Sequence, residues 1–98
     1  MKNLIGGLNK VFDSRVRLGI MSILMVHEKM EFNTMKELLE ITDGNLASHI
    51  AALEKTGYVA VKKQFIGKKP NTTYSATKAG TKAFQEHLNA LEAILKNR

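Results

Sequence analysis

Apolar residues recur at helical spacing through the first part of the chain. From Ser14 to about Glu28 they cover most of the helical circumference, which predicts a central helix with neighbours on nearly every side. Asp13 or Ser14 is placed to cap this helix. The run from Leu4 to Phe12 has the same spacing but is weakened by two adjacent glycines, so it predicts only a short N-terminal helix.

A short connection at residues 31–33 interrupts the helical pattern and predicts a loop or a single short strand. Asn33 or Thr34 is placed to cap the helix that follows. Thr34 and Glu37 also have the spacing of a capping box, in which each side chain binds a backbone N–H at the helix start. A short helix with one apolar face is therefore predicted from residue 34 to about residue 41.

The next helix is predicted from Gly44 to about Thr56, with Thr42 or Asp43 as its cap. Gly57 follows, and glycine ends helices at low cost because it adopts the left-handed conformation freely. One face of this helix is apolar. The other face carries small or polar residues, namely Asn45, Ser48, His49 and Ala52. Such a face suits close contact with a polar surface, for example the edges of DNA bases.

Beyond this helix the pattern changes to that of strands. Strand-forming residues on both sides of a turn sequence at residues 67–71 predict a β-hairpin from about residue 58 to residue 77. A long last helix is predicted from about residue 78 to residue 96. The elements are mainly α with one small β-hairpin, an α+β arrangement.

Positive charge is concentrated in and around the predicted hairpin. The segment from Lys55 to Lys82 contains seven lysines and no acidic residue, which exceeds the whole net charge of +6. The lysines are Lys55, Lys62, Lys63, Lys68, Lys69, Lys78 and Lys82. They indicate an anionic partner, although lysines also keep edge strands soluble, and that simpler interpretation stays open.

Composition restricts the class of protein. A chain of 98 residues with 44% hydrophobic content predicts one globular domain over residues 1–98. No apolar run approaches the roughly 20 residues that span a bilayer, and no signal-peptide pattern is present. The absence of cysteine excludes disulfides and fits a cytoplasmic protein. No phosphate-binding glycine loop, nucleophile set or metal-ligand spacing is visible, so neither an enzyme nor a cofactor or metal site is predicted.

The two short helices at residues 34–56 form a predicted helix-turn-helix, and the basic hairpin directly after them makes it a winged helix. The segment TDGNLASHIAALEKTGYVAVKKQFIGKKPNTTYSATKAG resembles the winged-helix DNA-binding domain of bacterial and archaeal transcriptional regulators in the MarR/ArsR-like superfamily, closest to the small single-domain type. The resemblance implies a dimeric, cytoplasmic regulator that binds double-stranded DNA. Many relatives also bind a small-molecule effector, which no residue here identifies.

The second short helix is expected to contact bases in the major groove. Asn45 pairs well with adenine, Ser48 with several bases, and His49 can donate to guanine acceptors. Ala52 is placed to touch a thymine methyl group, and Lys55 to reach a phosphate. Free N–H groups at the helix start, around Gly44 and Asn45, favour a further phosphate.

The hairpin is expected to bind the DNA backbone. Its lysines would form a phosphate clamp, and neighbouring polar side chains would add neutral hydrogen bonds. The complete predicted DNA-binding set is Thr34, Gly44, Asn45, Ser48, His49, Ala52, Lys55, Lys62, Lys63, Lys68, Lys69, Asn71, Thr72 and Thr73. Lys68 and Lys69 stand where relatives often have arginine, and lysine lacks arginine's flat fork. The lysines are therefore expected to supply affinity more than sequence discrimination.

Two apolar stripes, within residues 3–12 and 78–96, indicate a partner subunit. They consist of Leu4, Ile5, Leu8 and Phe12 near the start and Phe84, Leu88, Leu91 and Leu95 on the last helix. Pairing of these segments between two chains would set two recognition helices about 34 Å apart, one turn of DNA. Packing of the two stripes on each other within one chain is the alternative. A winged helix that contacts protein or RNA instead of an operator is the alternative function.

Overall fold

The computed structural model describes residues 3–96. Within them the chain forms a short 3₁₀ helix, four α-helices and three strands. In chain order these are the 3₁₀ helix Lys10–Phe12, α1 Arg15–Val26, β1 Met30–Glu31, α2 Phe32–Leu39, α3 Asp43–Thr56, β2 Val59–Ile66, β3 Lys69–Ala76 and α4 Lys78–Lys96. The strands form one antiparallel sheet in the order β1-β3-β2. The predicted α+β arrangement, with a hairpin between two helices, is confirmed.

The core lies between α1, the helix pair α2 and α3, and the base of the hairpin. Its buried side chains are Phe12, Ile20, Met21, Leu24, Met35, Leu46, Ile50, Leu53, Val59 and Phe84. Helix α1 contacts the 3₁₀ helix, α2, α3, β3 and α4, so it is the central helix that its apolar circumference predicts. Among the described residues no helix is long and apolar enough to cross a membrane.

Local signals fix the ends of α1 and α3. The Ser14 hydroxyl accepts a hydrogen bond from the Arg17 backbone N–H at 3.2 Å, which makes Ser14 the cap of α1. The Thr42 hydroxyl accepts one from the Asn45 N–H at 3.2 Å and caps α3 in the same way. Gly57 ends α3 with φ at 88°, in the left-handed conformation expected of it.

The start of α2 differs from the prediction. The helix begins at Phe32, and its cap residue Glu31 makes no side-chain capping bond. Thr34 therefore lies inside the first turn, and the predicted capping box with Glu37 does not form. The reason is long-range pairing, because Met30 and Glu31 pair with β3 as a third strand and the chain turns straight from that strand into the helix.

The predicted N-terminal helix is wrong. Only the 3₁₀ helix Lys10–Phe12 forms there, and residues 4–7 are turns; residues 1–2 lie outside the described part. The Asn9 side chain caps the 3₁₀ helix by accepting from the Val11 N–H at 2.9 Å. Gly7 passes so close to α4 that an added Cβ would lie 3.1 Å from the Cβ of Ala90. The glycines thus allow close approach to α4 at the expense of a regular helix.

Asn9 also joins three parts of the fold. Its backbone N–H donates to Nδ1 of the buried His87 on α4 at 3.0 Å. Its side-chain amide donates to the Tyr58 hydroxyl at the hairpin base at 3.1 Å. Phe12 stacks on the Tyr58 ring, with 5.7 Å between ring centroids. The N-terminal segment therefore connects α4 to the start of the hairpin.

The first turn of α4 packs directly on the backbone before β2. The Thr77 hydroxyl donates to the Gly57 carbonyl at 2.6 Å and accepts from the Gly80 N–H at 2.9 Å. A Cβ added at Gly80 would lie 2.1 Å from the carbonyl oxygen of Tyr58. The helix start can sit this close to the hairpin base only because residue 80 has no side chain.

Candidate nucleic-acid interface

Helix α3 buries one face and leaves the opposite face open. Leu46, Ile50 and Leu53 are in the core, whereas Gly44, Asn45, Ser48 and Lys55 are exposed and Ala52 is half-buried. Ala47 and Ala51 are exposed as well, and the predicted set omits both. Counting three residues from Ser48 would have found Ala51, since residues three and four apart lie on the same side of a helix. The side chains of the open face are therefore mostly small and uncharged, and the face is free for contact.

His49 lies at the edge of this face, next to α1, and is half-buried. The Arg17 Nε–H donates to His49 Nδ1 at 3.1 Å, and Arg17 Nη1 donates to the Val11 carbonyl at 3.4 Å. In a neutral imidazole an accepting Nδ1 leaves the proton on Nε2. The ring therefore keeps one N–H donor that can pair with a guanine acceptor.

The arginines of α1 belong to this surface, although the predicted set omits them. Arg17 contacts α3 through His49, and the exposed Arg15 lines an open concavity of about 420 Å³ together with Asn45. Arg15 and Arg17 follow directly on the cap of α1 and are two of the few arginines in the chain. The position of these arginines just after a helix cap can be recognised in the sequence. The sequence does not show, however, that the start of α1 lies beside α3.

The N-terminus of α3 is less free for an anion than the sequence predicts. The Asn45 N–H is already bound to Thr42. The Asp43 carboxylate occupies the first turn and lies 2.7 Å from the Lys36 ammonium group. A carboxylate there competes with phosphate for the positive helix end, while Lys36 offsets its charge. Gly44 remains exposed, with nothing within 4 Å of the position of a Cβ.

The pairing of β2 with β3 distributes the hairpin lysines over both faces. Lys62 pairs with Thr73 and Lys63 with Thr72, and cross-strand partners share a face. Lys69 pairs with Ile66. Because side chains alternate along a strand, Ile66 lies on the same face as Gln64 and Lys62, and so does its partner Lys69. A two-residue turn, Gly67-Lys68, connects the strands, so the predicted turn at residues 67–71 is shorter than expected. The lysines therefore surround the hairpin and do not line one side of it.

Thr73 is only 7% exposed, so its side chain offers almost no surface for the predicted contact with DNA. It lies in the middle strand, between Lys62 on β2 and Glu31 on β1. The sequence predicts a loop or a single short strand at residues 31–33, but it does not show that a strand there pairs with the hairpin, so Thr73 looks like an edge residue in it. Asn71 and Thr72 stay half-exposed nearer the turn, and Thr34 is exposed on α2.

The hairpin charges are not neutralised within the described part of the chain. Of the seven lysines from Lys55 to Lys82, only Lys82 lies within 4.0 Å of a carboxylate, that of Glu86. Glu54 of α3 acts instead on Tyr74, whose pKa is raised above its ordinary value first by partial burial and second by that carboxylate.

The predicted dimer residues separate by burial into three groups. Phe12 and Phe84 are buried and pack edge to face, with 5.2 Å between ring centroids. For these two residues the alternative of packing within one chain is the correct one, because the 3₁₀ helix presses Phe12 against α4. Leu8 is half-buried. The exposed members are Leu4, Ile5, Leu88, Leu91 and Leu95.

A helix-turn-helix with an open second helix, followed by a basic hairpin in a three-stranded sheet, defines a winged helix. The model of the winged helix DNA-binding domain family matches residues 16–95, and the chain belongs to this family. Its members are DNA-binding proteins and not enzymes. Within the described residues no group of three or more His, Cys, Asp or Glu residues is placed to hold a metal ion.

Similarity to other proteins also supports the winged-helix assignment. The chain is 39% identical over 88 residues to an uncharacterized protein of Methanocaldococcus jannaschii, covering 90% of this chain and 96% of that protein. A transcriptional regulator homologue from Pyrococcus horikoshii superposes with a TM-score of 0.77 at 32% identity, covering 90% of this chain and 92% of that one. YusO from Bacillus subtilis shares the fold, with a TM-score of 0.81 at 18% identity over 96% of this chain and 66% of that one. The predicted winged-helix DNA-binding domain is confirmed.

Proposed function

We propose that the protein is a homodimeric transcriptional regulator that recognises specific sequences in double-stranded DNA, in the cytoplasm. One observation supports this above all. Helix α3 offers an open, nearly uncharged face, and the hairpin directly after it carries unneutralised lysines. Uncharged small residues fit against base edges, and cations bind the phosphates beside them, which is the division of labour in specific DNA binding.

Helix α3 would lie in the major groove with its N-terminal half against the bases. Asn45 and Ser48 are exposed and supply the hydrogen bonds, while His49 would offer its single N–H donor. Ala51 and Ala52 leave room for a thymine methyl group. Lys55 lies further along the same helix and reaches a phosphate, together with Gly44 at the helix start.

The hairpin would bind the backbone from both sides. Lys63 and Thr72 share one face, and Lys62, Lys69 and Asn71 share the other. Lys68 lies in the turn between the strands. A hairpin with cations on both faces can follow a groove and contact the phosphates of both strands, which a one-sided clamp cannot do.

Substitutions on α3 should change which sequence is preferred. Selection of bound duplexes from a random library is expected to yield one defined motif, bound at least about 1,000-fold more tightly than random DNA. Ser48→Ala and Asn45→Ala should each shift the selected bases, because their hydrogen bonds to base edges are lost. Ser22→Ala, an exposed serine on α1, is the matched control and should select the wild-type motif. Equal affinity for all duplexes would contradict sequence recognition and favour a protein- or RNA-binding module.

Substitutions in the hairpin should change affinity without changing the preferred sequence. The double variant Lys68→Ala and Lys69→Ala should weaken binding to every duplex and reduce the slope of log affinity against log salt by about 2, since each phosphate contact contributes about 0.9. The control variant Lys10→Ala and Lys96→Ala removes the same charge away from the hairpin. If the control lowers the salt slope as much, net charge and not the hairpin explains binding.

A further inference from the structure

The tip of the hairpin carries apolar side chains that the rest of the chain leaves uncovered. Phe65 is 74% exposed and Ile66 is 62% exposed. Pro70, which is also exposed, lies directly across from Phe65. Single exposed apolar residues are common on protein surfaces. Phe65 and Pro70 share one face of the hairpin and Ile66 lies on the other, so the end of the hairpin is apolar on both sides. Such a cluster at the tip indicates a surface that is covered by a partner.

The charges around this apolar tip restrict the chemistry of the partner. Lys63 lies on the same face as Phe65, Lys69 lies across from Ile66, and Lys68 lies in the turn itself. Each face of the tip therefore carries an apolar side chain with a lysine near it, namely Phe65 with Lys63 on one face and Ile66 with Lys69 on the other. It complements a partner whose exterior is anionic and whose interior is apolar. A DNA base step between two phosphate backbones has this arrangement.

The shape of the tip fits the minor groove. The turn has two residues, and Gly67 has no side chain and nothing within 4 Å of a Cβ position. A narrow tip of this kind can enter a groove that is about 6 Å wide. Apolar side chains of DNA-binding proteins, phenylalanine and isoleucine among them, insert between base steps there and bend the duplex.

We infer that Phe65, supported by Pro70 on the same face, is an apolar wedge that enters the minor groove and partly unstacks one base step. This inference rests on the proposed DNA-binding function and adds a role for the hairpin beyond phosphate contact. Lys63, Lys68 and Lys69 hold the backbone on each side, and the wedge bends the duplex. Base steps differ in how easily they unstack, so the wedge gives the hairpin a sequence preference that lysines alone do not supply.

Fluorescence on the selected duplex tests the wedge. With 2-aminopurine placed at each adenine in turn, the wild-type protein should increase emission at one step in each half-site. Energy transfer between dyes at the duplex ends should also increase because the ends approach each other. Phe65→Ala should abolish both signals and lower affinity about tenfold, with the salt slope unchanged because every lysine remains. Phe65→Trp, which keeps a large aromatic side chain at this position, should give both signals as the wild type does.

Val26→Ala is the matched control, since Val26 is also a strongly exposed apolar residue but lies at the end of α1. It should leave both signals at the wild-type level. Unchanged signals in Phe65→Ala, or specific binding by the wild type without any bend, would overturn the wedge and leave the regulator proposal intact. Failure of the wild type to prefer any duplex would overturn the regulator proposal itself. If the wild-type protein bound phosphatidylserine vesicles and Phe65→Ala did not, while both bound DNA equally well, a membrane surface would be identified as the partner instead.

Discussion

Leu91→Asp should convert the protein to a monomer and lower its affinity for a two-half-site duplex by about 100-fold or more. Helix α4 contributes buried residues only in its first half, at Gly80, Phe84 and His87. Its second half extends beyond the core, and Leu88, Leu91 and Leu95 stay exposed there. A charge in the middle of this apolar stripe would have to be buried on pairing, which is costly. Separate subunits also lose the gain from binding two linked sites, about 10²–10⁴ in affinity.

Light scattering at micromolar concentration and titrations on duplexes with one and with two half-sites measure this effect. Affinity for a single half-site should change little, because Leu91 is far along the chain from α3 and its side chain is already 44% exposed. Val26→Asp adds the same charge at another exposed apolar position and should remain dimeric. A wild-type protein that is monomeric under these conditions, or a dimeric Leu91→Asp variant, would show that α4 does not form the interface.

Gly80→Ala should destabilise the fold by about 3 kcal/mol, a large part of the roughly 5–15 kcal/mol that stabilises a domain of this size. The new methyl group would lie 2.1 Å from the Tyr58 carbonyl oxygen, so the first turn of α4 must move away from the hairpin base. That movement also disturbs the Thr77 hydrogen bonds to Gly57 and Gly80. The better helix propensity of alanine offsets at most about 1 kcal/mol.

Urea unfolding at a fixed protein concentration measures the loss. The control is Gly44→Ala on α3, where a Cβ would have open space around it. This variant should be as stable as the wild type or up to about 1 kcal/mol more stable, because alanine favours the helix. Equal stabilities for Gly80→Ala and the wild type would contradict the close contact between α4 and the hairpin base.

Features set by neighbours in sequence were predictable. Ser14 and Thr42 cap their helices through N–H groups three residues ahead, and Gly57 needs only its own conformational freedom. The open face of α3 follows from helical periodicity alone. These local rules predict the helix-turn-helix, the hairpin and most of the residues proposed to contact DNA.

Features set by distant pairing were not predictable in the same way. β1 exists because Met30 pairs with Tyr74, and this pairing both starts α2 early and buries Thr73. The contact between Arg17 and His49 joins residues 32 positions apart. Lys62 and Lys63 lie on opposite faces by strand alternation alone, but the face of Lys69 depends on the two-residue turn, which sets the register of every pair in the hairpin.

The junction at Asn9 has a consequence for the spacing of binding sites. Asn9 is hydrogen-bonded both to the His87 ring of α4 and to the Tyr58 hydroxyl at the hairpin base. The helix proposed for dimerisation and the base of the hairpin proposed for DNA contact are therefore joined through Asn9. With subunits paired through α4, the distance between the two half-sites is set by packed contacts and not by a flexible linker. An operator lengthened by a few base pairs would then present its second half-site at the wrong rotation about the DNA axis. The paired subunits would not reach both half-sites at once, because packed contacts fix the distance between the recognition helices.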